Sequence, residues 1–223
     1  AKVITYGINK ESNYMAKNIT SNNLGHYSYD LYKDNNFLIT INLNINGYHN
    51  IYNSLAAFAL AHEYILDVNI IKNAIEKYHG VGRRFEYLGK YNGAYIYDDY
   101  AHHPSEIKTT LESVKSVKHK SSWAVFQSHT YSRTKEHLDA FADVLANFDH
   151  VIIAKIYPAR EINTFNISEE MLVDKIKDKN PNVIYIDDFD KIVEFLKENV
   201  KEEDLVITIG AGPINYVSKK LVD

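Results

Sequence analysis

A chain of 223 residues can form one or two domains with a real core, and 45% apolar with 24% charged residues is ordinary for a globular protein. The net charge of −4 gives no electrostatic pointer toward nucleic acid or an anionic membrane, and the absence of cysteine rules out a disulfide framework and a thiolate metal site. No apolar run approaches the roughly 20 residues of a membrane helix and no secretory signal pattern is visible, so a cytoplasmic protein is expected.

Ala1 leads directly into the strand-like run Val3-Ile4-Thr5-Tyr6, and the chain is expected to begin inside a longer protein. Residues 1–45 read as short strands, of which Phe37-Leu38-Ile39-Thr40-Ile41 is the clearest. Gly7, Asn22-Asn23, Gly25 and Asn35-Asn36 supply turns between them. The period then changes. Ile51, Leu55, Phe58, His62 and Ile65 recur at steps of three and four, which predicts a helix over 49–66. Ile71, Ile75 and Tyr78 predict a second over 68–79, stopped by Gly80 and Gly82.

From about residue 84 strands alternate with helical periods. The strands are Ala94–Tyr97, Trp123–Phe126, Val151–Ala154, Val183–Ile186 and Leu205–Ile209. Helical faces are marked by Ile107, Leu111 and Val114, by Leu138, Phe141, Leu145 and Phe148, by Leu172 with Ile176, by Ile192 with Leu196, and by Ile214, Val217 and Leu221. This alternation predicts an α/β fold, a Rossmann-like, mostly parallel sheet with helices on both faces. The break from the preceding strand-and-helix part falls near Val81–Phe85.

Ligands of such sheets sit at the carboxyl ends of the strands. That rule selects Asp98-Asp99-Tyr100-Ala101-His102-His103-Pro104, then Gln127-Ser128-His129-Thr130-Tyr131-Ser132-Arg133-Thr134, then Ile156-Tyr157-Pro158-Ala159-Arg160-Glu161. The first packs two carboxylates, a phenol and two imidazoles ahead of a proline suited to the first turn of a helix. Read from residue types alone, it is either a binding site or a capped surface turn with solvated histidines. Adjacent histidines on extended chain point to opposite faces, which argues against their chelating one ion. Arg133 is a natural clamp for a carboxylate or phosphate, or else a solvent-facing partner of Glu136. Asn50 and Asn53 share a helix face, where they either read a ligand edge or cap the helix. Arg83-Arg84 either reaches a phosphate or forms an exposed hinge pair. Gly210-Ala211-Gly212 lacks the third glycine and acidic partner of a dinucleotide fingerprint and reads better as a turn. There is no G-x-x-x-x-G-K-[ST], and Gly89-Lys90 stands in the wrong context for one.

These segments, together with Gly47-Tyr48-His49-Asn50-Ile51-Tyr52-Asn53 and Gly82-Arg83-Arg84-Phe85-Glu86, occur in an order and spacing that resembles the Mur ligase family, nearest the branch that couples L-alanine to UDP-N-acetylmuramate. Asn46 and Ser128 stand where that family usually has proline, and Pro213 where it often has an acidic or polar residue. The resemblance implies that residues 1–81 are the end of a central ATP-binding domain and 82–223 a C-terminal Rossmann-like domain. It implies ATP-dependent amide-bond formation through an acyl phosphate in peptidoglycan precursor synthesis. ATP, UDP-N-acetylmuramate and L-alanine are then the partners. Magnesium and the phosphate loop are held outside this chain, which has no metal site of its own and is expected to be inactive alone. His49, Asn50, Asn53, Arg84 and Asp99 match nucleotide-binding positions. Tyr100, His102, His103, His129 and Arg133 match the substrate side, with Arg84, His103 and Arg133 acting in catalysis. A ligase that recycles a tripeptide onto the same sugar, and a non-catalytic nucleotide-binding module, are the other readings.

Overall fold

A computed structural model describes residues 2–64 and 66–223, so Ile65, assigned above to the first helix, lies outside the described residues. The chain forms two compact units, one of residues up to Gly80 with Lys115–Lys118, the other of Val81–Val114 and His119–Asp223.

In the first unit, β1 (Tyr6–Gly7), β2 (Tyr14–Ser21), β3 (His26–Lys33) and β4 (Asn36–Asn46) form a sheet in chain order, with β1 parallel to β2 and the others antiparallel. The run from Val3 to Tyr6 is a strand only at its end, because the Thr5 N–H turns to Asn13 Oδ1 at 3.1 Å. The turn between β3 and β4 is Asp34–Asn35, one residue earlier than expected. Both have positive φ (45° and 66°), the paired left-handed conformation of a two-residue hairpin. Alternate residues Tyr14 and Ala16, Tyr29 and Leu31, and Ile41 and Leu43 face a common core. There they meet Ile51, Leu55 and Phe58 of α1 (His49–Glu63) and Ile71 of α2 (Val68–Glu76). Both helices stop about three residues short of the expected ends. Tyr78 is therefore exposed beyond α2 and not on its buried face.

One polar cluster closes this unit. The buried Tyr14 hydroxyl lies 2.8 Å from His62 Nδ1 and donates to Glu63 Oε1 at 2.9 Å, while Lys33 Nζ reaches the same oxygen at 3.0 Å. Lys2, then Lys33 and Tyr14, hold the Glu63 carboxyl at about 2, well below 4.5. A depressed carboxylate stabilises the fold above its unfolded pKa and loses that effect as pH falls through its folded one. Acidification from pH 4.5 to about 2 should therefore weaken the first unit. Unfolding midpoints of the wild type and Glu63→Gln, followed by circular dichroism, should differ at neutral pH and converge at the acid end. Coincident midpoints at neutral pH would remove the cluster from the account of stability.

The second unit holds β5 (Glu86–Tyr91), β6 (Ala94–Asp99), β7 (Ser122–Phe126), β8 (His150–Ala154), β9 (Val183–Ile186) and β10 (Leu205–Ile209). Their order is β5-β6-β10-β7-β8-β9, parallel throughout except that β5 runs antiparallel to β6. Every residue of β7 and of β10 is buried, as in parallel strands covered on both faces, and apart from Ser122 and Thr208 all are apolar. Around the sheet lie α3 (Pro104–Ser116), α4 (Tyr131–Glu136), α5 (Leu138–Leu145), α6 (Glu169–Lys177), α7 (Phe189–Asn199) and α8 (Asn215–Val222). Ile192, Leu196, Val217 and Leu221 pack on Ile96, Val125, Ile152 and Val206 in one core. The sequence reading did not include β5. It joins β6 through Asn92-Gly93, with φ of 46° and 84°, the favoured dipeptide of a tight hairpin. No described helix is long and apolar enough to cross a membrane.

Candidate functional site

In the first unit, Gly47 at φ 98° lets the chain turn into α1, and a Cβ there would meet the His49 ring at 2.5 Å. The His49 imidazole therefore lies against Gly47. Asn53 Nδ2 donates to Asn50 Oδ1 at 2.8 Å, and Asn50 Nδ2 to the Asn46 carbonyl at 2.6 Å. Neither asparagine caps the helix, whose N-cap position is Tyr48. Asn53 is exposed and keeps an acceptor oxygen and a second amide hydrogen for a ligand.

In the second unit the parallel strands bring the loops after β6, β7, β8 and β10 to one edge of the sheet. Backbone hydrogen bonds stitch them together: Gly210 N to Asp99 O at 3.0 Å, Gln127 N to Ile209 O at 2.9 Å, and Tyr157 N to Ser128 O at 2.9 Å. The glycines of the last loop serve close packing. Cβ atoms at Gly210 and Gly212 would lie 2.6 Å from Gln127 O and 2.4 Å from Gln127 Oε1. Gln127, 4% exposed, donates to Lys155 O at 2.9 Å, and its Oε1 is a buried acceptor without a partner.

The adjacent aspartates have different surroundings. Asp98, 1% exposed, accepts from Arg83 Nε at 2.9 Å and Thr208 Oγ1 at 2.6 Å. Asp99, 7% exposed, accepts from Ala101 N at 2.9 Å, Thr110 Oγ1 at 3.1 Å and Phe85 N at 3.2 Å. Burial raises both carboxyls above the usual range, against the pull of these donors. A carboxylate offers about four acceptor positions, so Asp99 retains about one.

The two arginines are not an exposed pair: both guanidinium groups lie against the Tyr100 ring, Arg83 at 5.0 Å and Arg84 at 5.6 Å, but only Arg84 is exposed. Arg83, at φ 61°, turns inward to Asp98 and donates from Nη2 to Gly210 O at 2.6 Å. Arg84 is exposed, and no salt bridge holds it among the described residues.

The histidines also separate. His102 Nδ1 donates to Tyr100 O at 3.0 Å, since a carbonyl only accepts, and lies 3.4 Å from Glu106 Oε2, which leaves Nε2 on the other side of the ring. His103 Nδ1 accepts from Ser105 N at 3.3 Å, and its ring meets His137 edge-on at 4.7 Å. Glu106, three residues after His103, accepts from both His102 N and His103 N, the return arm of a capping box. Burial opposes its ionisation, but these N–H groups and the His102 ring leave its carboxyl below the usual range. Arg133 pairs with His129 and not with Glu136: its Nη1 meets His129 Nδ1 and His129 O, each at 3.1 Å. Since arginine only donates, His129 Nδ1 accepts and the proton sits on Nε2. Burial, then Arg133 and His102, lower the His129 pKa.

A row of contacts results. Arg84 Cζ lies 5.6 Å from the Tyr100 ring centre, Tyr100 5.5 Å from His102, His102 6.1 Å from His129, and His129 bonds Arg133. Arg133 Nη1 is committed to His129, which leaves Nε and Nη2 as a two-pronged donor. The row can take an anion at each end, with imidazoles between. The sequence reading did not single out Thr110 or Glu106, and it took Arg83 only as one of a pair with Arg84. The spacing His103-x-x-Glu106 carried a signal for Glu106. Among the described residues no three His, Asp or Glu side chains group as metal ligands.

Residues 83–212 match the family described as Mur ligase, glutamate ligase domain, and residues 1–61 the Mur ligase middle domain. The chain is 46% identical over 99% of its length to the UDP-N-acetylmuramate--L-alanine ligase of Caldanaerobacter subterraneus subsp. tengcongensis, and 44% identical over 99% to the protein of that description from Lachnospira eligens. It spans about half the length of these curated relatives, 48% of each. The crystal structure of the UDP-N-acetylmuramate-alanine ligase MurC of Thermotoga maritima is similar to 98% of the chain, with a TM-score of 0.80 and 25% identity, over 47% of that chain.

Proposed function

The chain belongs to the Mur ligase family, and on that premise we propose that it is the part of an ATP-dependent UDP-N-acetylmuramate–L-alanine ligase that holds the nucleoside and the amino acid. The observation that carries this reading is the row from Arg84 through Tyr100, His102 and His129 to Arg133 at the carboxyl ends of β6 and β7.

The reaction joins a carboxylate to an amine. ATP phosphorylates the lactyl carboxylate, the amine of L-alanine attacks the acyl phosphate, and phosphate leaves. Such chemistry depends on positioning and charge neutralisation, so no protein nucleophile is needed. In this reading the first unit offers the exposed Asn53 amide, beside Asn50 and His49, for nucleotide binding, and the second unit offers the remaining acceptor position of Asp99 to a hydroxyl and Arg84 to a phosphate. ATP supplies the phosphoryl group, with magnesium held by residues outside this chain. Arg133 clamps the alanine carboxylate through Nε and Nη2. His102, whose Nδ1 is held by Tyr100 O, presents Nε2 toward the amino-acid side, between Arg84 and Arg133. Residues 1–81 are then the end of the ATP-binding domain and 82–223 the C-terminal domain, in a cytoplasmic enzyme of peptidoglycan precursor synthesis.

The test is ADP release by the full-length protein with UDP-N-acetylmuramate, with and without L-alanine. Release that requires L-alanine is expected. Turnover that ignores alanine and requires a tripeptide overturns this reading in favour of the recycling ligase. The chain alone, whose sequence has no phosphate-loop motif, is expected to release no ADP in either condition.

A further inference from the structure

The segment after β8, Tyr157-Pro158-Ala159-Arg160-Glu161, has no part in the function proposed above, yet it contacts the loop that carries His129 and Arg133. That loop holds Thr130 at φ 89° and ψ 173°, a conformation that β-branched residues rarely adopt. It persists only because neighbours over-determine it. Within the loop, Thr134 donates to Thr130 O from its amide at 3.1 Å and from Oγ1 at 2.6 Å, and Ser128 Oγ meets Thr134 Oγ1 at 2.6 Å. Thr130 Oγ1 meets Ser132 Oγ at 3.0 Å.

One further clamp comes from another strand end. Glu161 Oε2 accepts from Ser132 N at 2.9 Å, and Glu161 Oε1 accepts from the Ser132 hydroxyl. The two donors belong to the residue immediately before Arg133. Glu161 is itself aimed by a turn in which its N–H donates to Pro158 O at 2.9 Å and Ala159 adopts φ 53°. The Ser132 hydroxyl and amide, in that order, hold the Glu161 carboxyl below its ordinary range, so it clamps as an anion.

We propose that Glu161 is a positioning residue: without touching substrate, it holds the first turn of α4 and thereby sets Arg133 and His129 in register for the amino-acid carboxylate. The assignment of that carboxylate rests on the function proposed above, whereas the clamp itself does not.

Two measurements test it on Glu161→Gln, with Trp123 fluorescence as the check that the fold is retained. In the chain as it stands, NMR titration follows His129. Arg133 lowers the His129 pKa and the Glu161 charge, the smaller influence, raises it, so release of Arg133 outweighs the lost charge and the two possible roles differ in sign. If Glu161 holds Arg133 against His129, the variant lets Arg133 move off and the His129 midpoint rises. If Glu161 is only a nearby charge, the midpoint falls, and that result overturns the proposal, as does an unmoved one. In the full-length ligase, the variant should raise KM for L-alanine by about tenfold, the weight of one charge-assisted hydrogen bond, with KM for ATP nearly constant. Combining it with Ser132→Ala should add little to the loss from Glu161→Gln alone, because Glu161 acts through Ser132. Fully additive losses would place Glu161 on the substrate and overturn the positioning role. A wild-type enzyme indifferent to alanine would remove the ligase reading, while the His129 titration would still decide the clamp.

Discussion

Arg83→Ala is expected to cost the second unit about 3 kcal/mol, the low end of what removing one partner from a buried ion pair costs. The low end applies because the Arg83 side chain is 24% exposed, so water can reach part of the space it leaves, while Asp98 is at 2%. The substitution leaves Asp98 with Thr208 Oγ1 as its remaining side-chain donor and takes the Nη2 donor from Gly210 O. Its pH dependence identifies the cause. Burial already raises the Asp98 carboxyl, and Arg83 is one of the groups that pull it back, so the variant's pKa rises further. A carboxylate raised on folding destabilises the native state when ionised, and protonation relieves this. The deficit should therefore be full at neutral pH and shrink as the medium becomes acidic. Trp123, the single tryptophan, lies in β7 and reports on this unit alone in urea titrations. Arg83→Lys should fall between, since an ammonium cannot serve both Asp98 and Gly210 O with a fixed fork. A loss under about 1 kcal/mol that does not change with pH would show the pair to be a surface contact in energetic terms.

How far this clasp could be read from sequence follows from the kind of information each part needs. The parallel core was legible because Val183–Ile186 and Leu205–Ile209 are short runs rich in β-branched residues and free of turn signals, and Leu205–Ile209 is buried along its whole length, as a strand covered on both faces requires. Strand β5, Glu86-Tyr-Leu-Gly-Lys-Tyr91, was not. It is an edge strand whose pairing slips between Tyr87 and Gly89, so it shows no alternation, and only the Asn92-Gly93 hairpin dipeptide announced it. The divergence of His102 from His103 follows from the alternation of extended chain and was legible. The division of labour between Asp98 and Asp99 was not, because it is decided by Arg83 and Thr208 on one side and Phe85 and Thr110 on the other. Thr208 is 110 residues from Asp98, and no local spacing encodes that contact. Likewise Arg83-Arg84 reads as one motif, but a positive φ at Arg83 sends one guanidinium inward and leaves the other exposed.

Arg133→Ala in the full-length ligase should raise the L-alanine concentration for half-maximal rate by about a hundredfold, the weight of a bidentate charge-assisted pair, and change the ATP requirement by less than about threefold. The asymmetry follows from position. Arg133 is at the far end of the contact row from Arg84, with Tyr100, His102 and His129 between them. Its Nη1 is already held by His129, so Nε and Nη2 are presented as a fixed pair and little rotamer freedom is lost when a carboxylate arrives. Arg133→Lys keeps the charge but not the fork, and should recover only part of the loss. The fold should tolerate both changes, because α4 is tied down by Ser132 and Thr134 and not by Arg133. The converse substitution separates this site from the phosphate side: Arg84→Ala should raise the ATP requirement more than the alanine requirement. If Arg133→Ala left the alanine dependence unchanged, the carboxylate clamp would have to be sought on another side chain, even though the His129–Arg133 pair would remain as a structural contact.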